Sequence, residues 1–450
     1  MNEYIRMQKC IDKLKVKEAE KNIINEDKIE ESWNKIREIY IKSIEEKSRK
    51  YYKSPIYGLP IKLNDDQIIY SSYERSIEND VLEARCDEWR NKHEKWKMKN
   101  VVCGSGIQSI KLVLDTCLYI NRKRTTPIKI LVWGSYFETR MLFELMENSI
   151  ISIKYCTSIT ELYEGISLDF DLIYIEPVRY DIDLQPVDIE LLVDSFRKTE
   201  DKEKRRFVIM DSTLVGNLGP MDNLLELLSS YKHISFFNIN SLLKLNQQGL
   251  EFSNAGVITL YINIMDNEIA IDKLYQLLIE IRNINGAGIS LRNMMLLNNQ
   301  LFFDKKEVDD YCRTVFKNNQ YFATLMIKNK LFGRVSHPGI GSNKSEMAPF
   351  VILQLKEDIL SNYCILLAIL KYESKKRKID FYMGSSFGFR HSRYELIIPN
   401  NTIRWGFFKV AMGYRYDVVE EILELFRYLE EFDTIERLKK AYGFLEPIKI

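Results

Sequence analysis

Four short segments of this sequence carry side chains whose types and spacing suit chemistry on a flat, charged ligand. Gly104-Ser105-Gly106-Ile107-Gln108-Ser109 precedes a helical pattern. Glycines there let the backbone approach a phosphate, and a helix N-terminus offers free N–H groups and a positive dipole end. The segment nearly matches G-x-G-x-x-G, which admits a dinucleotide. However, no acidic residue ends the next strand, where a ribose hydroxyl would want one, and a plain helix cap reads the same. Tyr136 follows an apolar run ending at Trp133 and offers a platform for a ligand ring, or simply a rim aromatic. Asp211 closes the run Phe207-Val208-Ile209-Met210, where a carboxylate caps a helix or holds a charged ligand nitrogen. Ser241-Leu242-Leu243-Lys244 follows another apolar run. Most lysines are solvated, but one desolvated at a sheet's ligand-binding edge becomes a neutral amine that attacks a carbonyl.

The elements that must position these residues are legible in the apolar pattern. Ile128–Trp133, Ile151–Tyr155, Leu172–Ile175, Phe207–Met210, Ile234–Asn238 and Gly256–Ile262 are short apolar runs with strand character. Helical patterns such as Ser109–Ile120 and Glu138–Asn148 precede or separate several of them. Alternation at this spacing predicts an α/β domain with a mostly parallel sheet covered by helices on both faces. Ligands bind beyond the carboxyl ends of such strands, which is where the four segments fall. Further on, a helical stretch, Ile269–Arg282, leads into a mixed region with strands at Phe350–Leu355, Tyr394–Ile398 and Phe407–Met412 and a helix at Val418–Leu429, a smaller α+β domain. The first 55 or so residues, rich in Lys, Glu and Ile, read as amphipathic helices. The expected division is a helical N-terminal arm, 1–66, a large domain, 67–265, and a C-terminal domain, 266–450.

Composition narrows the function. The 450 residues are 46% hydrophobic and 29% charged, an ordinary globular mixture. The 65 Lys+Arg against 64 Asp+Glu give a net charge of +1, which argues against a nucleic-acid or membrane-surface protein. No apolar run is long enough to span a membrane and no signal core opens the chain, so a cytoplasmic protein is expected. Seven cysteines without a CxxC pair and four dispersed histidines give neither a disulfide framework nor a metal-ligand spacing, and no metal is expected. No GxSxG elbow is present for an α/β-hydrolase.

A phosphate cradle, an aromatic, a carboxylate and a lysine together suggest pyridoxal 5'-phosphate (PLP), which needs each of them. Their order resembles the fold-type I PLP enzymes, and more closely the cystathionine synthase/lyase (Cys/Met metabolism) family. The match runs from about Tyr73 to Leu429. Tyr73-Glu74-Arg75 resembles that family's Tyr-x-Arg, which implies phosphate binding in a neighbouring subunit's site and hence a homodimer or a dimer of dimers. Ser105-Gly106-Ile107 resembles Ser-Gly-Met, whose N–H groups hold phosphate. Tyr136-Phe137-Glu138-Thr139 resembles Tyr-Gly-x-Thr, its tyrosine stacked on the ring. Glu176-Pro177 resembles the Glu-x-Pro segment, one residue short. Asp211-Ser212-Thr213 is similar to Asp-Asn-Thr, the Asp pairing with the pyridinium. Ser241-Leu242-Leu243-Lys244 resembles Ser-x-Thr-Lys, which makes Lys244 the Schiff-base lysine. Ser386-Phe387-Gly388 is similar to a Ser-Leu-Gly that frames the substrate, and Lys409-Val410-Ala411-Met412-Gly413 resembles a strand that normally opens with a carboxylate-binding Arg.

The departures are as informative as the matches. Leu243 stands where the family has a phosphate-binding Thr, and Arg179 or Tyr180 occupies the neighbourhood of an absent Asn. Gly249 comes five residues after Lys244 instead of four, and about 40 extra residues precede the matching part. Lys409 replaces the Arg, so either an amino-acid substrate's carboxylate sits on Lys409 with help from Ser386 and one of Arg390, Arg393 or Arg404, or the substrate differs at that end and Lys409 is a solvated strand residue. The first is expected, because Ser386 and Gly388 are retained. The resemblance implies a PLP-dependent lyase or γ-synthase, a divergent member with a specialised role. It would catalyse β- or γ-elimination or replacement with Lys244, Tyr136 and Asp211 as catalytic groups. Two other readings stay open: a scaffold that kept the fold and lost turnover, and a nucleotide-binding oxidoreductase built on Gly104–Ser109.

Overall fold

The computed structural model describes residues 3–16, 24–25, 28–54, 60–62, 68–69, 79–199, 204–265, 268–340, 347–398 and 407–449. The chain opens with α1 (Glu3–Leu14) and α2 (Ile29–Ser48), the short pair β1 (Ile61–Lys62) and β2 (Ile68–Ile69), and α3 (Asp80–Arg85). The large α/β part follows: β3 (Trp96–Cys103), α4 (Gly106–Asn121), β4 (Ile128–Trp133), α5 (Phe137–Met146), β5 (Ile151–Tyr155), α6 (Ile159–Ser167), β6 (Leu172–Ile175), α7 (Ile189–Arg197), β7 (Arg206–Asp211), α8 (Met221–Leu227), β8 (Ile234–Ser241) and β9 (Gly256–Asn263). Then come α9 (Glu268–Asn285), α10 (Leu291–Leu297), α11 (Gln300–Phe303), α12 (Lys305–Met326), β10 (Phe332–Ser336), β11 (Val351–Leu355), α13 (Leu360–Arg377), β12 (Phe381–Met383), β13 (Ser392–Ile397), β14 (Phe407–Ala411), α14 (Tyr416–Glu430) and α15 (Ile435–Ala441).

The seven-stranded sheet runs β3-β9-β8-β7-β6-β4-β5. The pairs β4–β5, β4–β6, β6–β7 and β7–β8 are parallel, and β9 runs against both β8 and β3. Its central strands are buried on both faces, so β6, β7 and β9 read as near-continuous apolar runs. Leu172 and Tyr174 pack with Ile110, Val113, Phe143 and Leu278 of α4, α5 and α9. Ile173 and Ile175 pack on the other face with Leu162, Leu192, Phe196 and Leu224 of α6, α7 and α8. A strand-then-helix chain can wind back only over a face of the sheet, which puts the ends of β3, β4, β6, β7 and β8 on one edge.

A five-stranded sheet, β10-β11-β14-β13-β12, carries α12, α13, α14 and α15 around a second core that includes Phe322, Leu366, Val410 and Phe426. The N-terminal helices bury Met7, Ile11, Trp33, Ile36 and Tyr40 against Leu250, Phe252, Met295 and Leu301. Arg37 ties them further through Nε and Nη2 to the carbonyls of Leu250 and Glu251, at 2.6 and 2.9 Å. Among the described residues, no helix is long and apolar enough to cross a membrane. Strand β3 was not among the expected strands. It is an edge strand, so Lys97 and Lys99 interrupt its apolar pattern before Val101.

Candidate functional site

Five strand ends converge on one cavity of about 350 Å³, lined by Ser105, Gly106, Ile107, Tyr136, Glu138, Thr139, Glu176, Tyr180, Asp211, Thr213, Ser241, Lys244, Ser386 and Phe387, among others. The turn after β3 opens α4. Ser105 caps that helix by accepting from Gln108 N at 3.2 Å, and Ser109 N makes an early helical bond to Ser105 O at 3.1 Å. The N–H groups of Gly106 and Ile107 precede those bonds and are left for a ligand at the positive helix end.

The turn after β4 presents Tyr136. Its position depends on Glu176, the residue after β6, which is 3% exposed. The Glu176 carboxylate accepts from the backbone N–H of Ser135 and Tyr136, both at 3.1 Å, and of Tyr180 at 2.8 Å. Burial raises its pKa to about 7; the three N–H donors oppose that rise, and the nearby Asp211 adds to it. Gly134 makes the approach possible. A Cβ there would lie 2.5 Å from the Tyr174 ring and 2.8 Å from a Glu176 oxygen. Glu176→Gln turns an amide nitrogen toward N–H donors. We expect it to cost about 2–3 kcal/mol in urea unfolding and to loosen Tyr136; a variant with wild-type stability would show that the clasp does not matter.

Asp211 ends β7. Tyr174 Oη donates to its Oδ2 at 2.9 Å and Thr213 N to its Oδ1 at 3.1 Å, so the carboxylate is held from two sides at the cavity floor. Thr213 Oγ1 in turn accepts from Ser241 N at 3.0 Å, locking the β7 and β8 ends together. Tyr136 donates its phenol to Glu138 at 3.0 Å, and burial followed by the Glu138 charge pushes the phenol's pKa up.

Lys244 faces the cavity three residues past β8. Its ammonium lies 4.2 Å from the Phe387 ring centre and 5.5 Å from that of Tyr136, with no ion-pair partner among the described residues. Desolvation and then the Lys409 charge bring its pKa down from 10.5 to about 8. A group with that pKa is half neutral near pH 8. The rate at which it captures an aldehyde should therefore climb about tenfold per pH unit below 8 and level off above it. A rate that keeps climbing to pH 10, followed by absorbance, would show an ordinary lysine.

The structure thus brings together Ser105, Gly106, Ile107, Tyr136, Asp211, Thr213, Ser241, Lys244 and Ser386. Ser386 sits at φ 75°, with its N–H on Glu395 Oε1 at 3.2 Å. Tyr73, Arg75 and Arg404 lie outside the described residues. The expected carboxylate grip needs correction. Arg390 does not face this cavity; its Nη2 binds Glu3 at 2.8 Å and its guanidinium stacks 4.0 Å over Trp33 of the N-terminal helices. Arg393 binds Glu251 at 2.8 Å. Lys409, 1% exposed, does not line the cavity either; it pairs with Glu395 and donates to Tyr180 Oη at 3.2 Å. Of the two residues standing in for the absent Asn, Tyr180 is the one in the cavity, edge-on to Tyr136 at 5.4 Å. Sequence reasoning gave Tyr174, Glu138 and Glu176 no role. The signals were there: a tyrosine inside an apolar strand, and an acid directly after one, as at Asp211.

No protein-family model and no curated protein matches the sequence. Solved structures do. Cystathionine gamma synthase from Xanthomonas oryzae pv. oryzae, in complex with aminoacrylate and cysteine, superposes with a TM-score of 0.60 at 15% identity, over 84% of this chain and 91% of that one. A methionine gamma lyase from Micromonospora echinospora gives 0.58 at 14%, over 80% and 89%. MetB from Corynebacterium glutamicum gives 0.56 at 13%, over 84% and 90%. The chain has the fold of these enzymes, the fold-type I architecture that its motifs resemble.

Proposed function

We propose that this chain is a PLP-dependent enzyme that catalyses β- or γ-elimination or replacement on a substituted amino acid. The observation that carries this is the convergence of an unpaired lysine with pKa about 8, a buttressed carboxylate, a tyrosine ring and a helix N-terminus in one cavity. These residues fit the cofactor. The N–H groups of Gly106 and Ile107, with the hydroxyls of Ser105 and Ser241, suit its phosphate, Asp211 suits its ring nitrogen, and Tyr136 suits a ring face. Bound there, PLP supplies an aldehyde carbon for amines and a ring that draws electrons from the substrate's α-carbon.

The protein's own groups do the rest. Lys244, largely neutral above pH 8, takes a proton from the α-carbon. Asp211, fixed by Tyr174 and Thr213, keeps a proton on the ring nitrogen. Tyr136 and Glu138, joined by a hydrogen bond, move a proton at the leaving group. Phe350, Phe387 and Phe407 surround Tyr180 and exclude water on that side. We further propose at least a homodimer, with Tyr73 and Arg75 reaching a partner's phosphate site. Purified protein mixed with PLP should turn yellow, absorb near about 420 nm and bleach with borohydride. Amino acids bearing a β- or γ-leaving group should then change the spectrum. No yellow species under any condition would sink the proposal.

A further inference from the structure

We propose that a second cavity, between the N-terminal helices and α12, binds a small phosphate-bearing anion and communicates with the Lys244 site. The cavity is about 410 Å³, and its charged lining comes from α1 (Arg6, Lys9), α12 (Glu307, Asp310, Arg313, Lys317) and Arg390. Arg6, Lys9, Arg313 and Lys317 have no ion-pair partner among the described residues, and Arg313 and Lys317 are adjacent like charges one helical turn apart. Of the two carboxylates, Glu307 is already engaged by Lys13 at 2.9 Å, which leaves Asp310.

The site is built, not merely charged. Arg6 lies 3.8 Å over the Tyr414 ring, and Tyr414 stacks on Tyr311 at 5.3 Å. Arg390, 4% exposed, has Nη2 on Glu3 at 2.8 Å with Glu30 farther off at 3.7 Å, but its Nε is buried without a hydrogen-bond partner. Burial, and then the Arg390 charge, lower the pKa of Arg6, while Glu3 and Glu307 oppose the shift. A single carboxylate would neutralise one of these cations. A phosphate group, with about two charges and three acceptor oxygens, answers several at once, and arginine forks suit it.

Two loops join this cavity to the first. Gln248 and Leu250, which line it, follow Lys244 in the chain, and Arg390 follows Ser386 and Phe387. The loops interlock. Gly249, at φ +74°, sits where a Cβ would be 2.3 Å from both Arg390 N and Tyr311 Oη, and Tyr311 donates to Gly388 O at 3.2 Å. An occupant held by Arg390 therefore bears on both loops that frame Lys244.

Pyrophosphate is the probe, tested by calorimetry on full-length protein with PLP kept saturating. Wild type should bind it, and Arg313→Glu/Lys317→Glu should weaken binding at least about tenfold, with Lys9→Glu acting alike from the other wall. All three side chains are exposed, so the fold should survive, as a thermal melt will show. Pyrophosphate should also change PLP affinity at least about threefold in wild type and not in the double variant. Pyrophosphate binding that is unchanged in the variants, or PLP affinity that ignores pyrophosphate, overturns the proposal. If the protein takes up no PLP at all, the Lys244 reading fails by itself, while pyrophosphate binding dependent on Arg313 and Lys317 would still establish the anion site.

Discussion

Lys244→Ala should abolish the absorbance near about 420 nm on adding PLP and lower turnover by on the order of 10³-fold, with the fold intact. The reason is specific to this side chain. Lys244 has no ion pair among the described residues, so its removal breaks no network, and an enclosed ammonium that already titrates near 8 gives up little stability when it is lost. Lys244→Arg sharpens the test. Arginine keeps a long cationic side chain but cannot become neutral at any working pH, so it should be as inactive as alanine. If the lysine only neutralised a phosphate, Lys244→Arg would restore much of the activity. A yellow, borohydride-sensitive Lys244→Ala protein would place the reactive amine elsewhere.

How much of this was legible in the sequence follows from where each determinant comes from. Strands β4, β6, β7 and β9 were readable because both faces of the sheet are buried there, which leaves nearly unbroken apolar runs. Asp211 was readable because it closes such a run, and Lys244 because it lies three residues past the end of β8; strand ends on one edge of a parallel sheet must lie together. Arg390 was not. Its partner Glu3 is 387 residues away, and nothing local says that an N-terminal helix folds back on it. Edge strand β3 was hidden by its lysines, and the Glu176 clasp was hidden because its partners are backbone N–H groups, which leave no trace in residue types.

Lys409 is an internal partner here, not a group facing the Lys244 cavity. It stands on β14, directly across from Glu395 on β13, and pairs with it inside the protein. Removing one partner of a buried pair leaves the other charge stranded. Lys409→Met should therefore destabilise by about 3 kcal/mol in urea unfolding, and Glu395→Gln in the same chain should recover most of it. A second readout follows from electrostatics. Lys409 is the charge that, after desolvation, lowers the pKa of Lys244 most. Its removal should shift the pH midpoint of cofactor capture upward from about 8, because the Lys244 ammonium no longer faces a like charge. The alternative is that Lys409 leaves Glu395 to hold the substrate carboxylate. Lys409→Met would then raise KM by about a hundredfold or more while hardly changing stability. A stability loss under about 1 kcal/mol, with KM raised about a hundredfold, would reject the internal pair and return the carboxylate to Lys409.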